Sequence, residues 1–171
     1  MEKLYLLNEQ EYMQFQYKAA KQKINMKELV EECLKLFEWE FNQHGITYSY
    51  ELEEGYVVGY ANSLKQVIDN LIQNVIRYKT EETEVTCRGV IEDDMYKLLV
   101  TGEGQFIPED QRDKIFERFY RVDVSRNRNT GGHGLGLSIV KEIVKKHDGQ
   151  TGLDTDVSTH SFWVRLPLVK K

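Results

Sequence analysis

The chain has 171 residues, 40% of them hydrophobic and 30% charged, with a formal net charge of −5. That size and composition suit a single soluble domain with a sizeable core, and the negative balance argues against a general nucleic-acid or anionic-membrane binder. No apolar run approaches the roughly 20 residues of a membrane span and no signal-peptide pattern opens the chain, so a cytoplasmic segment without membrane contact is expected.

Residues 1–21 have no regular period and are set apart as an N-terminal segment; residues 22–171 read as one domain. Asn25 is placed to cap a helix, with Glu28 three residues on. Leu29, Val30, Cys33, Leu34, Phe37 and Phe41 recur at helical spacing up to Gly45. Alternation predicts strands over 46–53 and 56–60. Asn62 opens a second helix, whose apolar stripe runs from Leu64 to Val75. Strands follow over 84–94 and 95–100 around an Asp-Asp turn, then a helix over 134–147 and a closing strand over 159–169. This order suits an α/β two-layer sandwich with helices on one sheet face. Cys33 and Cys87 lack CxxC spacing and read as buried free thiols.

Four features carry chemistry. In the helix over 62–78, Asn70, Asn74, Arg77 and Tyr78 share one face. On residue types alone, that face is as readable as a solvated stripe. Five arginines fall between Arg112 and Arg128, and Arg121, Arg126 and Arg128 occupy a polar loop that reads as a solvated loop or as a phosphate grip. The loop ends in GGHGLGL (131–137), which opens an amphipathic helix. Glycines at a helix N-terminus offer backbone N–H groups and the helix dipole to phosphate. A dinucleotide fold would need a strand before these glycines, and VDVSRNRNT is too polar for one. The fourth feature is TGEGQFIP (101–108), with Gly102 and Gly104.

Residues 115–149, IFERFYRVDVSRNRNTGGHGLGLSIVKEIVKKHDG, closely resemble the F box and second glycine box of sensor histidine kinases, and NLIQNVIRY (70–78) resembles their N box. The resemblance covers roughly residues 22–168. It implies the histidine kinase ATPase (Bergerat) fold, a mixed β-sheet covered on one face by three α-helices. The function implied is an ATP-binding catalytic domain that passes the ATP γ-phosphate to a histidine on a separate helical domain, with a response regulator as the further partner. By the same resemblance, Asn74 holds Mg²⁺ through its side-chain oxygen, Arg77 meets the phosphates and Tyr78 packs on the nucleotide, with Asn70 beside them. Arg121 and Arg126 belong to a lid over the triphosphate, and Gly132, His133, Gly134, Leu135 and Gly136 form the phosphate loop. Phe116, Phe119 and Tyr120 are expected to pack rather than to touch ligand. Residues 1–21 become the remnant of a dimerisation-helix linker.

The chain departs from the family at TGEGQFIP, where the pattern is Asp-x-Gly-x-Gly-Ile-Pro and the aspartate accepts a hydrogen bond from the adenine amino group. Anchored on Ile107-Pro108, Gly102 takes the aspartate position and Phe106 the second glycine; anchored on Gly102 and Gly104, Val100 takes it. Neither register supplies a carboxylate, and Glu103 should point away if the segment is extended. Loss of one charged hydrogen bond, about 1.5–3 kcal/mol, predicts weak ATP binding. None of His44, His133, His147 and His160 has a phosphoacceptor context, so no catalytic residue is assigned within the chain. HDGQ stands where His-Gly-Gly is usual, and His147 ends a helix where the dipole favours a cation. A second reading stays open, in which the same fold serves as a non-catalytic docking or dimerisation module.

Overall fold

The computed structural model describes residues 20–78, 84–104, 108–111, 114–117, 136–156 and 159–171. Strand β1 (Gln22–Asn25) leads into α1 (Met26–Leu36) and α2 (Glu38–Gln43); β2 (Thr47–Leu52) and β3 (Tyr56–Gly59) precede α3 (Ala61–Tyr78). Then come β4 (Glu84–Glu92), β5 (Met95–Glu103), α4 (Gly136–Lys146), β6 (Gln150–Asp156) and β7 (Thr159–Pro167). The main sheet has the order β2-β4-β5-β7-β6. β2 runs parallel to β4 and every other neighbouring pair is antiparallel, so the sheet is mixed, as expected.

The inner sheet face presents Val85, Cys87, Tyr96, Leu98, Val100, Phe162, Val164 and Leu166, all buried. Against it lie the apolar stripes of the helices, including Leu64, Ile68, Leu71 and Ile72 of α3 and Val140, Ile143 and Val144 of α4. Alternating strands and helical stripes of this kind bury their apolar faces only against each other, which fixes the two layers. Both cysteines are free and buried, and desolvation pushes each thiol up to about 12.

Four expectations change. The helix expected to run on to Gly45 breaks at Phe37, whose backbone N–H donates to the carbonyls of Cys33 and Leu34 and closes α1. Phe41 then stacks on Tyr48 with ring centroids 4.9 Å apart. Gln22–Asn25, for which no strand is expected, forms β1 and pairs with β3 in a separate two-stranded sheet. The two strands read between Ile46 and Tyr60 therefore belong to different sheets. β6 was not expected at all, because QTGLDTD lacks an apolar alternation; it is an edge strand held by pairing with β7. Finally, β5 continues through Thr101, Gly102 and Glu103, extending past the expected end at Val100.

The Asn25 cap is as read: its Oδ1 accepts from the Glu28 N–H at 3.2 Å. The expected Asp-Asp turn joins β4 to β5, with Asp93 at φ 53° in the left-handed region.

Candidate nucleotide site

α3 and α4 pack side by side over the inner sheet face, and Asn70 and Asn74 of α3 meet the start of α4 at Gly136. Asn74 is 1% exposed. Its Nδ2 donates to the Asn70 backbone carbonyl at 2.7 Å. A carbonyl only accepts, so the amide orientation is fixed and Oδ1 faces the other way. That Oδ1 is buried and has no hydrogen-bond partner among the described residues, and neither has Asn70 Nδ2. A buried acceptor left unmade costs about 1–3 kcal/mol, so a group that engages it is expected.

Gly136 opens α4 directly opposite. A Cβ there would lie 3.6 Å from Asn74 Nδ2 and 3.8 Å from Asn70 Oδ1. The α4 N-terminus therefore faces the two asparagines with no side chain of its own between them. The start of α4 thus lies against the side-chain amides of both asparagines, and Asn74 carries an unpartnered oxygen; an amide oxygen is a hard-cation ligand and a helix N-terminus an anion site, so these residues fit a Mg²⁺-phosphate group. Arg77, half-buried, lies one turn beyond Asn74 and ends the same helix with Tyr78.

The other side of this corner is β5. Gly102 is buried, pairs with His160 of β7 and meets the Val75 side chain of α3 so closely that a Cβ at position 102 would overlap Val75 Cγ1. Gly104 is buried too, while Glu103 between them is exposed, as an extended segment requires. The carboxylate of Glu103 thus does not take the place of the missing aspartate.

The structure brings together Asn70, Asn74, Gly136 and, through Val75, Gly102. Arg121, Arg126, Gly132, His133, Gly134 and Leu135 lie outside the described residues, as do Phe106, Phe119, Tyr120 and the Tyr78 side chain. Phe116 packs as expected, buried with Ile115 in a short turn against α4.

Sequence reasoning missed Val75, since it reads as one more member of the apolar stripe; only its contact with Gly102 marks it. His147 needs a correction. It is 8% exposed, its Nδ1 donates to the Ile143 carbonyl at 2.8 Å, and its Nε2 accepts from the Tyr60 N–H at 3.1 Å. Burial lowers its pKa, so loss of hydration outweighs the helix dipole and the ring is a neutral strut between α4 and the start of α3.

The family described as "Histidine kinase-, DNA gyrase B-, and HSP90-like ATPase" matches residues 59–170. The probable sensor kinase SilS of Salmonella typhimurium is 36% identical over 67% of this chain and 23% of its own length. The sensor histidine kinase CusS of Escherichia coli O6:H1 is 31% identical over 86% of this chain and 31% of its own. The chain thus spans less than a third of the length of these relatives. Among solved structures, the nucleotide-free catalytic domain of histidine kinase ThkA superposes with a TM-score of 0.76 at 25% identity, covering 87% of this chain and 96% of that one. ThkA in complex with the response regulator TrrA gives 0.72 at 25% identity, over 87% of this chain and 42% of that one. The chain belongs to the histidine kinase, DNA gyrase B and HSP90-like ATPase family, with the form of the ATP-binding catalytic domain of a sensor histidine kinase.

Proposed function

We propose that this domain binds Mg-ATP weakly at the corner between α3 and α4 and presents its γ-phosphate to a histidine on a separate helical domain of the same kinase, with a response regulator receiving the phosphoryl group. The observation that carries the reading is the buried Asn74 Oδ1 without a partner, on a side chain whose amide lies against the start of α4 at Gly136. Asn74 would hold the metal, with Asn70 orienting it through the backbone carbonyl that fixes its amide. When bound, Mg²⁺ supplies charge neutralisation across the phosphate oxygens. Arg77, the lid arginines Arg121 and Arg126 and the glycine loop Gly132–Gly136 would bind and orient the triphosphate, and Tyr78 would pack on the nucleotide. The domain's contribution to transfer is positioning and electrostatic stabilisation, since no phosphoacceptor histidine stands in the chain.

Residues 1–21 fit the end of a linker from the helical domain, and the site would work on the cytoplasmic side. The named relatives are kinases, which favours this reading over a docking or dimerisation module. Weak affinity follows from the missing carboxylate. Titration calorimetry with Mg-ATP is expected to give a Kd above about 10 μM; micromolar or tighter binding would contradict it.

A further inference from the structure

The two most exposed large apolar side chains among the described residues stand three positions apart. Leu36 closes α1 at 75% exposure, and Trp39 lies in the first turn of α2 at 70%. Phe37, between the helices, keeps right-handed helical torsions at φ −87° and ψ −4°, so Leu36 and Trp39 remain neighbours on one side of the chain. The core does not use them. Phe37 and Phe41 are buried, with ring centroids 5.9 Å apart, and they tie α2 to the rest of the domain. A tryptophan covers roughly 150–250 Å² when it is buried, and exposed apolar residues rimmed by charge are a common form of binding anchor.

The rim here is acidic. Between Met26 and Gln43 five glutamates stand against two lysines. Lys27 lies at the far end of α1, Lys35 is beside the anchors, and Lys65 of α3 is bridged to Glu32 at 3.0 Å. Nearby groups register the excess of negative charge. The hydrogen bond to Glu38 helps push the Tyr48 phenol up to about 12, and the charge of Glu31 raises that of Tyr50. Burial raises the Asp69 carboxyl of α3 and Glu40 adds to it, while Cys33 and Lys65 oppose the shift.

We propose that Leu36 and Trp39 dock a basic amphipathic helix of a partner protein, its apolar stripe over the two anchors and its cations against the surrounding glutamates. Charge selects this occupant. A second copy of the chain would bring the same acids face to face, and an anionic lipid surface would be repelled. Two anchors three residues apart make a ridge of the kind that packs into the groove of a facing helix.

The test is isothermal titration of the whole chain with a synthetic helical peptide that carries leucines on one face and lysines on the other. The wild type is expected to bind it with a Kd below about 50 μM, and Leu36→Ser with Trp39→Ser to bind at least about tenfold more weakly. Both side chains are exposed, so the double variant should keep the wild-type melting temperature. A peptide of the same composition in scrambled order should lose at least about tenfold, and one with glutamates in place of its lysines should not bind. Raising the salt from about 0.05 M to about 0.5 M should weaken wild-type binding severalfold. Equal affinity of the wild type and the double variant would overturn the proposal, as would equal affinity for the ordered peptide and either control. Absence of binding at about 1 mM peptide would overturn it as well. Sedimentation that shows a dimer dissociated by the double variant would assign the patch to a second copy and overturn the choice of occupant.

Discussion

His147 stands at the end of α4, where sequence position alone suggests a cation stabilised by the helix dipole. In the structure both ring nitrogens are used, one donating to Ile143 and the other accepting from Tyr60, and Tyr60 also packs edge-on against the ring at 5.7 Å. Protonation would put a hydrogen on Nε2 and break the Tyr60 bond. Lys21 nearby opposes the charge further, while Asp148 favours it less strongly than burial resists it. The folded pKa therefore lies below the usual 6.5. The unfolded chain takes up protons first, so stability is unaffected above that value and falls as pH drops through it towards the folded pKa. Thermal melts at about pH 7.5 and about pH 5.5 should show a larger loss for the wild type than for His147→Gln; equal losses would contradict this account of the ring. The contrast with Asn74 is instructive. Asn74 could be read from sequence because a short motif carries it, whereas the state of His147 depends on Tyr60, 87 residues away, and nothing local signals it. Val75 was illegible for the same reason, since only its partner on β5 gives it meaning.

Helix ends and edge strands show where local pattern was sufficient and where it was not. α3 and α4 were legible because long apolar stripes at 3.6-residue period admit one reading. The single helix expected before Gly45 was not, because Phe37 and Phe41 continue the period of α1 although the chain turns between them. β6 carries too little hydrophobic signal to be seen, and Gly152 lies in it where a Cβ would crowd the Trp163 indole. The link from α4 to β6 was legible as a departure from the family and is now explained. The Asp148 N–H donates to the Lys145 carbonyl and the Gly149 N–H to the Val144 carbonyl, a Schellman closure with Asp148 in the left-handed position at φ 60°. Aspartate tolerates that region better than most residues but less well than glycine. Asp148→Gly should therefore stabilise the domain by about 0.5–1 kcal/mol in urea unfolding, the relief of left-handed strain less the added freedom of the unfolded chain. A net loss of stability would mean that the Asp148 side chain makes a compensating contact.

At the scale of the whole molecule, α3 and α4 bring Asn70, Asn74 and Gly136 together, and Val75 of α3 packs against Gly102 of β5. The order of elements sufficed to foresee two layers, because strands and helices with single apolar faces have few ways to bury them. The division of the strands between two sheets was beyond it, since that depends on which backbone edges meet. The measurement closest to the central claim is the magnesium dependence of nucleotide binding in the wild type and in Asn74→Ala. Asn74→Ala removes the orphaned Oδ1 together with the Nδ2 bond to Asn70, so its melting temperature is measured alongside, and a loss of binding in a variant that still melts cooperatively is assigned to the site. Mg²⁺ added to a titration with ATP should raise the affinity of the wild type at least about tenfold and that of Asn74→Ala less than about twofold. An equal gain in both proteins would show that Asn74 does not hold the metal.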